Sequence, residues 1–233
     1  MTPTLSASLD RRHLLGLGAA GLGLSLGSAR APAAETLPGD LVFDVYRKGS
    51  LIGSNEIRFR VEEGGFTVTT LMSIAVKLAF ITVYSYRQES RERWRNGMLA
   101  QSDIVTDDSG KVTHVEVRPT GAELTVEGPR GTYRVPPGTM TDLSFWNPAI
   151  IKATQLVDGQ HGELMPLRLI PGTEETIQIA GRSIATTRYG FVASQTREGT
   201  AREGTIWYDR TSRWVRCEYY TRGEFLTLEL KGT

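Results

Sequence analysis

The chain has 233 residues, 39% of them hydrophobic and 23% charged, with 27 Lys and Arg against 26 Asp and Glu. That composition belongs to a folded globular protein, and a formal charge of +1 gives no electrostatic footprint for nucleic acid. The single cysteine, Cys217, excludes an internal disulfide and a thiolate-rich metal site; in Trp214-Val215-Arg216-Cys217 it reads as a small buried hydrophobe.

Residues 1–33 have the three-part layout of a cleaved export signal. A polar start carries Asp10-Arg11-Arg12-His13-Leu14-Leu15, a Gly- and Ala-rich apolar stretch follows to Leu26, and Ala31-Pro32-Ala33 supplies small residues for a cut between Ala33 and Ala34. The arginine pair resembles a twin-arginine signal, although Gly16 stands where a lysine is usual. The general secretory route is the alternative. Without that segment, which holds Arg11, Arg12, Arg30 and Asp10, the charge balance is 24 against 25. No later apolar run reaches the roughly eighteen residues that would span a bilayer. The expected product is a soluble periplasmic protein, its leader read by the export machinery, with a linker over 34–40 and one β-rich domain over 41–233.

The domain reads as strands throughout. Leu41–Arg47 alternates apolar and polar residues, and so does Ile52–Glu62 after a turn at Lys48-Gly49. Phe66–Gly97 is the organising stretch, rich in Thr, Val, Ile, Tyr and Phe, with no proline and no glycine before its final residue. Its second half places Tyr84, Tyr86, Gln88, Ser90, Glu92 and Trp94 on one side and Ser85, Arg87, Glu89, Arg91, Arg93 and Arg95 on the other. Because strands usually stop at about ten residues, the stretch is expected to be two strands with a bend near Lys77–Phe80; a helix over Met72–Val83 competes. The arginine row reads as a solvated face laced by weak ion pairs, with an anionic head-group site as the alternative.

Asn96-Gly97 is a strong two-residue hairpin signal, and strands follow at Met98–Thr106, Lys111–Arg118, Ala122–Val126 and Thr132–Val135. Pro136-Pro137-Gly138 then breaks the pattern. Asn147 is placed to cap a short helix with Pro148 in its first turn, running to about Leu156. Strands resume at Leu164–Ile170, Thr176–Ala180, Ser183–Val192, Thr205–Asp209, Trp214–Thr221 and Glu224–Lys231. The fold expected is mainly β: a large antiparallel barrel, half-barrel or β-spiral of about 12–14 strands with one short helical insertion.

Chemistry-bearing patterns are sparse. A hydrolytic triad needs a histidine base beside its nucleophile, yet after the leader only His114, mid-strand, and His161, in a glycine-flanked turn, are available. No zinc-ligand spacing, P-loop or G-x-G-x-x-G occurs, so no catalytic residue, metal or cofactor is expected. The aromatic stretches Phe145-Trp146-Asn147-Pro148 and Trp207-Tyr208-Asp209 stand out. Either they plug an apolar cavity, or Trp146 anchors the sheet end and Asp209 caps its turn. On the first reading Tyr84, Tyr86, Trp94, Phe145, Trp146 and Trp207 are the candidate ligand contacts.

The order Lys48-Gly49-x-x-Ile52-Gly53, Val76-Lys77, Tyr84-x-Tyr86, Glu92-Arg93-Trp94-x-Asn96-Gly97, Ser144-Phe145-Trp146-Asn147 and Trp207-Tyr208-Asp209 resembles an uncharacterised family of exported proteobacterial domains of unknown function. Such domains are broadly similar to periplasmic β-spiral envelope proteins and, distantly, to the lipoprotein carriers LolA and LolB. The resemblance implies an open barrel sheltering an acyl chain under a helical lid, and no catalytic residues. Sequence therefore points to a non-catalytic periplasmic binding or envelope-maintenance protein holding a lipid or acyl chain. An interaction module docking an envelope protein, or an enzyme acting on envelope polymers, are the alternatives.

Overall fold

The computed structural model describes residues 37–194, 201–221 and 223–232. The expected export signal, with Arg11, Arg12 and a cut at Ala33 and Ala34, lies outside the described residues.

Fourteen strands form one antiparallel sheet. The first eight are β1 (Leu41–Arg47), β2 (Ser50–Glu62), β3 (Gly65–Leu78), β4 (Ile81–Arg95), β5 (Met98–Asp108), β6 (Lys111–Thr120), β7 (Glu123–Gly128) and β8 (Gly131–Val135). After a crossover come β9 (Gln155–Val157), β10 (Leu164–Ile179), β11 (Arg182–Ser194), β12 (Ala201–Asp209), β13 (Trp214–Thr221) and β14 (Glu224–Leu230). The order across the sheet is β8 to β1, then β14 to β9, so the first and last strands pair at its middle, Phe43 opposite Leu230. Every other neighbour is a sequential hairpin. Local turn chemistry thus suffices for nearly all the topology.

The turns follow from that chemistry. Arg95 pairs with Met98 around Asn96 and Gly97, at φ of 51° and 71°, the two left-handed residues that a twisted two-residue hairpin requires. The organising stretch is two strands, β3 and β4, meeting at Ala79 and Phe80, where the bend was expected; no helix forms over 72–83. On β4 the side bearing Gln88, Ser90, Glu92 and Trp94 is buried, and the arginine side is exposed. Arg87 meets Glu89 at 2.6 Å and Arg91 meets Glu62 at 3.5 Å, both in solvent, as a wet strand face should be. Two expected strands, 164–170 and 176–180, are one: β10 runs through Pro171-Gly172 with a register shift between Ile170 and Thr173.

Two corrections concern the insertion. It holds no α-helix, only the 3-10 turns Ser144–Trp146 and Pro148–Lys152. Asn147 does cap the second, its Oδ1 accepting from the Ala149 N–H at 3.0 Å. The helix nevertheless stops at Lys152, because the following backbone is claimed elsewhere: Leu156 and Val157 lie in β9, paired with Met165 and Leu164, and the Val157 N–H donates to the Met140 carbonyl. Strand pairing on both sides leaves no backbone partner for helix.

The sheet does not close on itself, but its ends approach. The Arg130 N–H in the β7–β8 turn donates to the His161 carbonyl in the β9–β10 turn at 3.1 Å. Ile104, Val115, Val117, Val126 and Val157 form a small core beneath that junction. The larger core gathers Phe43, Ile57, Trp94, Leu156, Met165, Trp214 and Leu228 from both halves of the sheet. A curled sheet with the crossover packed into its hollow accounts for both.

Candidate functional site

The crossover, 136–154, lies inside the curl and is pinned at three points. Trp146 is 5% exposed and stands edge-on to Phe59, Phe66 and Trp94, with ring centroids 5.1, 5.9 and 5.0 Å away. Its indole N–H has no acceptor among the described residues, so contact area rather than hydrogen bonding holds it. The second pin is Glu92, buried on β4. Thr141 Oγ1 donates to its Oε1 at 2.6 Å, Trp94 Nε1 donates to its Oε2 at 3.1 Å, and the Ser144 hydroxyl lies at 3.4 Å. Burial raises the Glu92 carboxyl above the ordinary carboxylate range, against the pull of those donors.

The third pin is ionic. Arg202 of β12 reaches Asp142 Oδ2 at 2.8 Å and Asp158 Oδ1 at 3.5 Å. Asp142 also accepts from the Gly159 N–H, and Asp158 from the Gln160 N–H, while Asp158 Oδ2 lies 2.9 Å from His161 Nδ1. Burial and then the neighbouring Asp158 charge push Asp142 up, with Arg202 opposing. For Asp158 burial acts upward too, but His161, Arg202 and the Gln160 N–H together outweigh it and hold the carboxyl below its usual range. Every oxygen of the two acids is engaged within the protein. The pair Asp142 and Asp158 is therefore a joint that ties the crossover and the β9–β10 turn to β12.

Between the pins the curl leaves a cavity of about 150 Å³. Met72, Ile74, Leu156, Met165, Phe191 and Leu228 make its apolar wall, and Asn55, Gln88, Asp142 and Arg202 supply the polar groups. The side-chain oxygen of Asn55 is buried there without a donor. Of the residues picked from sequence, Tyr84, Tyr86 and Phe145 lie on this wall. Phe145 is seated by Phe191 at 5.3 Å and Trp214 at 6.2 Å, and the Tyr208 hydroxyl donates to its carbonyl.

Trp94 and Trp146 do not reach the cavity, because they fill the core beside it against each other. Trp207 is also off the wall: its Nε1 donates to Glu175 at 2.5 Å and the Arg216 guanidinium lies 5.5 Å above its ring, so polar neighbours cover it. Asp209 caps its turn as expected, accepting from the Thr211 and Arg213 N–H groups. Sequence reading missed Arg202, Asp142, Trp214 and Cys217. Arg202 and Asp142 sit among ordinary loop-flanking polar residues, and nothing local marks them. Trp214 and Cys217 read as plain strand core, which they are; only the curl turns them toward a hollow. Burial raises the Cys217 thiol well above its usual value, which disfavours the reactive thiolate.

One cluster could geometrically hold a cation, Asp103, His114 and Glu116, with ligand atoms within 4.8 Å of one another. Arg118 Nε already donates to Glu116 at 2.6 Å, and His114 is half exposed. It is a surface ion-pair group on adjoining strands.

A family model matches residues 43–231, nearly the whole described domain. The chain belongs to that family, a domain of unknown function (DUF6134). An uncharacterised family is what the aromatic motifs resembled. Among solved structures, the chain is similar to a β-barrel-like protein of domain of unknown function DUF1849 from Brucella abortus, at 11% identity and a TM-score of 0.59, covering 83% of this chain and 98% of that one. It is also similar to the hypothetical lipoprotein YmcC from Escherichia coli, at 10% identity, a TM-score of 0.35, and 83% and 87% coverage. The first likeness establishes a barrel-like fold. No curated protein matches. Among the described residues no helix is long and apolar enough to cross a membrane.

Proposed function

We propose that this domain is a non-catalytic binding protein of the bacterial envelope, holding one apolar chain segment between the curled sheet and the crossover. The observation that carries the reading is the cavity: apolar over most of its wall, lined from the crossover by Phe145 and Leu143, with Arg202, Asp142 and the unpartnered Asn55 oxygen at polar positions. Buried apolar space of this size is normally filled, since interiors pack like organic crystals. A cavity of about 150 Å³ takes a benzene-sized group or a short stretch of one acyl chain. Even drug-sized ligands call for pockets of roughly 300–1,000 Å³, so a diacyl ligand would require the crossover to swing out. The leader pattern over 1–33 supports export, the paired arginines favour the twin-arginine route, and the periplasm is the compartment proposed.

The test is native mass spectrometry and solvent extraction of the processed protein, followed by titration with medium-chain fatty acids and alcohols. An apolar molecule should co-purify or bind, and Ala193→Leu, which fills part of the cavity, should weaken binding at least about tenfold. Failure to bind any such chain, with no effect of Ala193→Leu, would leave an interaction module without a small ligand as the better reading.

A further inference from the structure

We propose that the tip of the β3–β4 hairpin docks on a lipid bilayer surface. The pairing register sets its geometry. β2 stops accompanying β3 at Gly53 opposite Ile74, and β5 stops accompanying β4 at Asp108 opposite Tyr86. Past those points the ladder continues only between β3 and β4, from Ala75 opposite Ser85 to Leu78 opposite Ile81. Four residues at about 3.3 Å each make a two-stranded ribbon roughly 13 Å long past the last pairing with either neighbour. The β5–β6 turn touches the base, where the Ser109 N–H donates to the Ser85 carbonyl at 2.9 Å, and Val76 and Tyr84 pack against the core there.

What the ribbon carries is apolar and bare. Phe80 at the apex is 101% exposed, with Leu78 at 72%, Ile81 at 70% and Val83 at 57% behind it. Single exposed hydrophobes are ordinary, but four together on a projecting tip mark an interaction surface. The occupant follows from shape and charge. The four apex residues Leu78, Ala79, Phe80 and Ile81 are all apolar and exposed, with Leu78, Ile81 and Val83 on one face of the ribbon, a tip that a bilayer covers when it is entered apex-first. Between Glu63 and Glu89 the sequence has no acid; Lys77 is exposed one residue behind the apex pair, while Arg87, further back, is paired with Glu89. An apolar apex with Lys77 just behind it matches the layering of an anionic interface, where apolar groups enter about 5–10 Å and basic residues stay at the head groups.

Antiparallel alternation puts the β13–β14 turn at the same end, flanked by exposed Tyr220 and Phe225. It also places Ile74, Tyr84 and Tyr86, which line the cavity, at the root of the docking ribbon. Docking would bring the cavity wall to the membrane without unfolding anything. The inference does not depend on the cavity being occupied: a chain that binds vesicles and yields no ligand keeps the one reading and loses the other.

The experiment is vesicle flotation of the processed chain recovered from cells expressing the full sequence. Vesicles of phosphatidylethanolamine with phosphatidylglycerol are compared with phosphatidylcholine alone. The wild type should float with the anionic vesicles. The double substitution Leu78→Ser, Phe80→Ser should lower partitioning at least about tenfold, the loss expected when two large apolar side chains leave the interface. Its unfolding midpoint should not move, because both side chains are solvent-exposed. Lys77→Glu should weaken binding to the anionic vesicles only. The proposal is overturned if the wild type floats with neither composition, or if the double substitution floats as well as the wild type. It is equally overturned if sedimentation velocity shows that substitution splitting a dimer, which would make a second copy the occupant.

Discussion

Replacing Trp146 by alanine tests whether the crossover belongs to the core or merely covers it. The ring is 5% exposed and stands edge-on to Phe59, Phe66 and Trp94, side chains of three adjacent strands. A buried indole removes roughly 200 Å² from water, which at about 25 cal/mol per Å² corresponds to ~5 kcal/mol as an upper bound. Measured Trp→Ala losses run at about 3–5 kcal/mol, the larger ones where surroundings cannot collapse. Here the neighbours are rigid rings on a hydrogen-bonded sheet, so little collapse is available. We expect about 4 kcal/mol. With a urea slope of roughly 2 kcal/mol per M for a domain of this size, the midpoint should fall by about 2 M at unchanged slope. Far-UV circular dichroism is the appropriate probe, since the substitution removes a fluorophore. A loss below about 1.5 kcal/mol would show that the crossover is an accessory lid, and the account of Trp146 as the main pin would be wrong.

Glu92→Gln addresses the second pin. Because burial raises the folded carboxyl, its contribution to stability is full below the ordinary value of 4.5 and is lost as pH rises through the raised value. The variant should therefore show a flatter stability curve from mildly acidic to neutral pH, read from urea midpoints; a wild type that gains on the variant as pH rises would mean the three donors hold Glu92 ionised. At Gly53 an added Cβ would overlap the Ser73 carbonyl oxygen on the paired strand, so Gly53→Ala should cost at least about 2 kcal/mol by forcing β2 and β3 apart. A thermal scan that leaves Gly53→Ala within a degree or two of wild type would contradict the register. Cys217, 2% exposed with its thiol raised by burial, should resist iodoacetamide at pH near 8 in the native protein and react once urea unfolds it. Rapid native labelling would show that the interior opens.

Most of the strands were legible because their causes are local. Side-chain alternation at period two separates Tyr84, Tyr86, Gln88 and Trp94 from the arginines on any strand, and Asn96-Gly97 reverses the chain through its own backbone preferences. The end of the insertion was not legible. Leu156 continues a plausible helix until the next strand, β10, and the Met140 carbonyl from across the crossover compete for the same backbone groups.

The same division holds for the site. Residue order alone determined a β-rich meander with one aromatic interruption, since a hairpin needs nothing beyond its two strands and a turn. Only the curl of the sheet decided that β4 and β12 face one hollow, that Thr141 meets Glu92 from 49 residues away, and that Asp142 meets Arg202 across 60. Contacts at such separation are set by how the whole sheet twists and what fills its concave side, and no window of sequence contains them.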